Sequence, residues 1–105
     1  MRVVPLQPAP AQTVYVTLGG QACRINVYTK RQGMFVDLYS SNAPVVTGVI
    51  AQWQNRIVRD AYFGFVGDLA FIDLLGKDDP TYDGLGSRYE LAYLEPADLV
   101  GELPT

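Results

Sequence analysis

An all-β fold, a single small antiparallel barrel or sandwich of about six to seven strands with extended arms at both ends, is what this sequence predicts. Three observations predict it. Short runs alternate apolar and polar residues with the period of two that a half-buried strand requires. Turn-forming residues, most of them glycines, separate those runs. No stretch reads convincingly as a helix, and strands joined by tight turns without helices form barrels or sandwiches.

The elements follow in order. Residues 1–12 read as an extended arm, because Pro5, Pro8 and Pro10 forbid a helix and favour extended backbone. Residues 13–94 make the β core. In TVYVTL, Thr13 to Leu18, the residues Val14, Val16 and Leu18 share one face and Thr13, Tyr15 and Thr17 the other. Gly19-Gly20 is a hairpin-turn pair. The run QACRINVYTK follows, with Cys23, Ile25 and Val27 facing in and Arg24, Asn26 and Tyr28 facing out. KRQG turns the chain into a third strand, Met34 to Ser40, rich in branched and aromatic residues. Ser41-Asn42 with Pro44 turns it again. Branched residues Val45, Val46, Thr47, Val49 and Ile50 favour a strand from Val45 to Gln52, with a short extended piece at Arg56 to Val58. Arg59 to Gly67 reads as a loop. Gly67 to Leu75 is a strand that is apolar on both faces, which places it centrally or in an interface. Ser87 to Leu94 is the last strand. Residues 95–105 are a tail with a short turn of helix at Ala97 to Val100.

Composition narrows the function classes. A chain of 105 residues fits one domain, and 49% hydrophobic content with 18% charge is a folding composition. The absence of histidine removes the commonest general base and metal ligand. The lone cysteine, Cys23, cannot form an intrachain bridge and lacks a histidine to activate it as a nucleophile. No apolar run approaches the roughly 18 residues of a membrane-spanning helix, and MRVVPLQPAPAQ does not read as a signal peptide. Residues 1–36 carry four basic residues, Arg2, Arg24, Lys30 and Arg31, and no acid, whereas residues 60–105 carry ten acids against Lys77 and Arg88. Such opposed ends either pair within the fold or orient partners at an interface.

The segment LGKDDPTYDGLG, Leu75 to Gly86, concentrates the polar chemistry. It fails as an EF-hand, because Pro80 and Tyr82 occupy ligand positions and strands rather than helices flank it. It fails as a phosphate loop, because the glycine–lysine order is wrong and its carboxylates repel anions. Asp73 with Asp83 is a weak paired-carboxylate candidate. Backbone conformation accounts for the segment instead: Pro80 presets a turn, Asp83-Gly84 is a turn pair, and Gly86 admits a positive φ before the last strand. Gly19, Gly20, Pro80, Asp83, Gly84 and Gly86 are therefore read as structural turn residues. No enzyme activity, cofactor or metal is expected. The alternatives are a barrel of the OB type gripping single-stranded nucleic acid through Arg24, Lys30 and Arg31, and a calcium- or carbohydrate-binding β module. An isoelectric point near 4.6 argues against nucleic acid.

Taken together, several signatures resemble the cyanophage baseplate plug family of contractile tails. They are Val4-Pro5-Leu6, the LGGQ turn, CRINVYTK, Phe35-Val36-Asp37-Leu38 and Thr47-Gly48-Val49, then Gly67 to Asp73, Pro80 to Gly86 and Arg88 to Tyr93. Where that family often has tryptophan or another aromatic in its third strand, this chain has Met34-Phe35. The resemblance spans Val4 to Tyr93. It implies a non-enzymatic virion protein of the tail baseplate, made in the host cytoplasm. Such a protein joins or seals hub and tail-tube proteins, contacts spike-associated components, and is present in several copies. It implies no catalytic residue. Interface candidates are Val3, Val4, Pro5 and Leu6 in the arm, Trp53, and Tyr62 and Phe63 in the Arg59–Gly67 loop. Core packing is the competing reading for each.

Overall fold

The computed structural model describes residues 2–53, 56–58 and 65–95. Seven strands are present among them: β1 (Arg2–Val4), β2 (Ala11–Leu18), β3 (Gln21–Lys30), β4 (Gly33–Ser40), β5 (Ala43–Ile50), β6 (Asp68–Asp73) and β7 (Tyr89–Leu94). The segment Tyr82–Gly84 adds one 3-10 turn. The strands form two antiparallel sheets, ordered β2-β3-β4-β5 and β1-β7-β6, which do not close into a barrel. Of the two predicted architectures, the sandwich is the one observed.

The alternating pattern of the sequence is the reason the first sheet has an inside. Cys23, Ile25 and Val27 of β3 and Met34, Val36 and Leu38 of β4 are buried, while their neighbours on the other face are half-buried. From the second sheet, Leu69, Phe71, Leu91 and Tyr93 complete one continuous apolar core with them. Residues that are removed from water in this way supply the main stabilisation, at about 25 cal/mol per Å² of apolar surface. The two tight hairpins need left-handed backbone at both central positions. Gly19 (φ 57) and Gly20 (φ 76) meet that need without strain, whereas Ser41 (φ 52) and Asn42 (φ 67) meet it with side chains present.

Three expectations change. The N-terminal arm is not free: Arg2–Val4 pairs with β7 in the register Arg2↔Tyr93 and Val4↔Leu91. Val4 (1% exposed) and Leu6 (6%) fill the core, because an alternating apolar pair next to an open strand edge buries itself there. Pro44 lies within a strand rather than a turn. β5 is an edge strand, where a missing N–H is tolerated, and its register with β4 shifts between Val36 and Tyr39. Finally, β6 is not central. It is the edge of the second sheet, and its burial comes from Trp53 and residues 56–58, with bridges from Trp53 to Phe71 and from Arg56 to Ala70. The amide of Ile57 donates to the carbonyl of Leu69 at 2.9 Å. The helical turn read at Ala97 to Val100 lies outside the described residues, as do Tyr62 and Phe63.

Candidate interaction face

The outer face of the four-stranded sheet carries side chains in cross-strand rows. One row runs Tyr15, Arg24, Tyr39 and Pro44, each directly opposite the next. The Arg24 guanidinium lies 4.1 Å from the centre of the Tyr39 ring, a cation–π contact that holds both side chains against the sheet. Tyr15 beside it is 76% exposed. A shallow depression of about 330 Å³ adjoins this row, lined in part by Tyr15, Thr17, Arg24, Ser41 and Asn42. The Nε of Arg24 is buried and has no hydrogen-bond partner. A buried donor without an acceptor is uncommon in folded proteins and calls for an explanation.

A second row runs Ala11, Tyr28, Phe35 and Ile50. The Tyr28 and Phe35 rings stack with centroids 6.1 Å apart, and Lys30 Nζ sits 5.5 and 5.8 Å from their centres. Between the two rows lies a hydrogen-bonded polar row. Thr13 Oγ1 donates to Asn26 Oδ1, and Asn26 Nδ2 to Asp37 Oδ2, while the Tyr28 hydroxyl and the Gly48 amide both donate to Asp37 Oδ1. Burial, together with the neighbouring Asp37 carboxylate, pushes the Tyr28 phenol up, so it stays a neutral donor. A fixed surface of tyrosine, arginine and phenylalanine has the composition of a protein-binding hot spot. Cations already lie against three of its rings and Asp37 stands at its centre, which suits it poorly to stacking the bases of an anionic strand.

The Leu75–Gly86 segment is held from beneath. Arg88 donates to Asp73 twice, Nε to Oδ1 and Nη2 to Oδ2, each at 2.8 Å, and Nη2 also reaches Asp78 at 2.8 Å. The Leu75 and Asp78 amides donate to the same Asp73 carboxylate. The Arg88 hydrogen bonds, aided by these amides, hold the Asp73 carboxyl well below the usual carboxylate range despite the opposing desolvation. Asp79 accepts the Trp53 amide at 2.9 Å and Asp83 the Thr81 hydroxyl at 2.6 Å. Among the described residues no group of three His, Cys, Asp or Glu is placed to hold a metal ion. Pro80 is buried, Asp83-Gly84 lies in the 3-10 turn, and Gly86 has φ 82. The turn leaves Leu74 (54%) and Leu75 (78%) in solvent.

The sequence-derived interface candidates separate into three groups. Val4 and Leu6 contact this chain's own core; Val3 and Pro5 are exposed beside them. Trp53 is half-buried, with Lys77 Nζ 5.9 Å from its ring. Tyr62 and Phe63 lie outside the described residues. Tyr15 and Tyr39 were not among the candidates, and Arg24 was named only for the nucleic-acid alternative. Their sides of the strands were readable from alternation, and the Gly19-Gly20 turn fixes Tyr15 opposite Arg24, so register counted from that turn would have found the first pair. Burial pushes the Cys23 thiol up, and it stays protonated beneath this face.

A family model described as cyanophage baseplate Pam3 plug gp18 matches residues 1–96. No curated protein matches the chain.

Proposed function

Because the chain belongs to the cyanophage baseplate plug family, its role in the tail baseplate is structural, and we propose that it joins or seals the hub and tail-tube proteins. Contact runs through the outer face of the four-stranded sheet, in several copies within the virion. The observation that carries this reading is the Tyr15–Arg24–Tyr39 row, a preorganised aromatic and cationic strip on the outer face of the sheet. A partner carboxylate placed there would pair with the charge of the half-buried Arg24 guanidinium, and desolvated Arg and Tyr positions carry most interface energy. Val3, Pro5 and Trp53 are candidates for the rim, as are Tyr62 and Phe63. The protein is made in the host cytoplasm before assembly.

The test mixes this chain with the hub and tube proteins of the same phage and measures absolute mass by light scattering. A complex of fixed stoichiometry is expected. Tyr39→Ala removes the ring beneath Arg24 and should weaken that complex by about 2 kcal/mol, roughly 30-fold in Kd. A chain that elutes alone, or a complex indifferent to Tyr39→Ala, refutes the proposed contact.

A further inference from the structure

Two sheets have four edges, and three of them are protected among the described residues. β1 is three residues long and carries Arg2. β6 is covered by Trp53 and residues 56–58. β5 contains Pro44 and Gly48, and its pairing with β4 is irregular. Short strands, covering segments, proline and bulges are the means by which sheet edges avoid pairing with another chain. β2 has none of these. It is eight residues long, pairs with β3 without a break, and contains no charge, proline or glycine.

The free hydrogen-bonding groups of β2 can be assigned. The Thr29 amide donates to the Pro10 carbonyl, so in this alternating ladder the even-numbered residues face β3. The N–H and C=O of Ala11, Thr13, Tyr15 and Thr17 therefore point outward. Consistent with this direction, the Thr17 carbonyl accepts Arg2 Nη1 at 2.6 Å, and it keeps a second lone pair. Residues 13–17 read Thr-Val-Tyr-Val-Thr, the same in both directions.

We propose that β2 pairs antiparallel with β2 of a second copy of this chain, about a two-fold axis at Tyr15. In that register Tyr15 faces the second copy's Tyr15, Thr13 faces the second copy's Thr17, and Val14 faces the second copy's Val16. Thr–Thr and aromatic–aromatic pairs are favourable across strands, and the outward backbone groups of residues 13, 15 and 17 are the ones such pairing joins. An isologous contact of this kind closes on itself as a dimer.

Charge supports a second copy as the occupant. The β2 strand carries no charged residue, so pairing two copies brings no like charges into register along the axis.

Light scattering over a range of concentrations should give twice the chain mass of 11.6 kDa. Tyr15→Lys places two like charges opposite each other at the axis and should raise the dissociation constant about tenfold or more. Tyr15 is 76% exposed, so circular dichroism of this variant should match the wild type. Register is read by oxidation: Tyr15→Cys should form a disulfide-linked dimer rapidly, whereas Thr13→Cys, which faces residue 17, should not. A wild type that stays at 11.6 kDa throughout, a dimer that survives Tyr15→Lys, or equal cross-linking at positions 13 and 15 overturns the proposal. A monomer would leave the β2 edge to a different protein. The outcome is separable from the baseplate reading, because this measurement needs only the isolated chain and the other needs the hub and tube.

Discussion

Asp73 shows how much one carboxylate can organise. Its side chain is fully removed from solvent, and two arginine nitrogens and two backbone amides satisfy it. The turn from Leu75 to Gly86 hangs on this group rather than on an ion. Its folded pKa lies below the ordinary aspartate value of about 3.9, so its contribution to stability is complete above that pH and is lost as pH falls below it. Asp73→Asn should therefore lower the melting temperature at pH 7, and the variant should lose less than the wild type between pH 4 and pH 2. Melting curves across that range check both statements, and parallel acid limbs for the two proteins would refute them. Nothing in the spelling of the chain marked Asp73 as the anchor. It was read as half of a weak carboxylate pair with Asp83, whereas its partner Arg88 is 15 residues away across a turn whose shape only the fold supplies.

At the scale of elements, the hairpin of β2 and β3 was legible except for Ala11 and Gln12, which were assigned to the arm, because Gly19-Gly20 fixes the turn and alternation fixes the faces. β1 was not. Three residues before a proline fall below any periodicity, and their strand character comes from the edge of β7, a partner at the far end of the chain. The burial of β6 was read correctly, but its cause was not. Its cover is Trp53 and residues 56–58, and the sequence marked 56–58 only as a short extended piece with no partner. The reassignment of the arm can be measured. Val4→Ala removes two methyl groups from a site 1% exposed and should cost about 1–3 kcal/mol in denaturant unfolding. A cost near zero would mean that the segment is a free arm after all.

Over the whole molecule, the fold class and the family were readable, and the interaction surface was read only in part. Alternation and glycine spacing are local and survive in the sequence, and the order of those signatures carries the family. A surface built from rows depends on register, and each row gathers residues from up to four strands. The opposed charge of the two chain halves was visible at once, but how far it pairs within the fold depends on the packing of the two sheets. The acidic excess of residues 60–105 and the basic excess of residues 1–36 meet within the described fold at few points. Arg2 binds a backbone carbonyl, while Arg24 and Lys30 lie over aromatic rings, and none of the three forms an ion pair among the described residues. Those cations remain available to a neighbour.

The pairing of β1 with β7 also sets an order in time. As the chain leaves the ribosome, β2 to β5 can zip into successive hairpins from neighbouring segments, and such local contacts form fastest. β1, though made first, must wait for the last strand. Pulse-labelled amide exchange during refolding should accordingly find β3 and β4 protected before Val4, and simultaneous protection would refute that order. Until then Val4 and Leu6 stay wet, held in reserve as the latch that locks β7 in place.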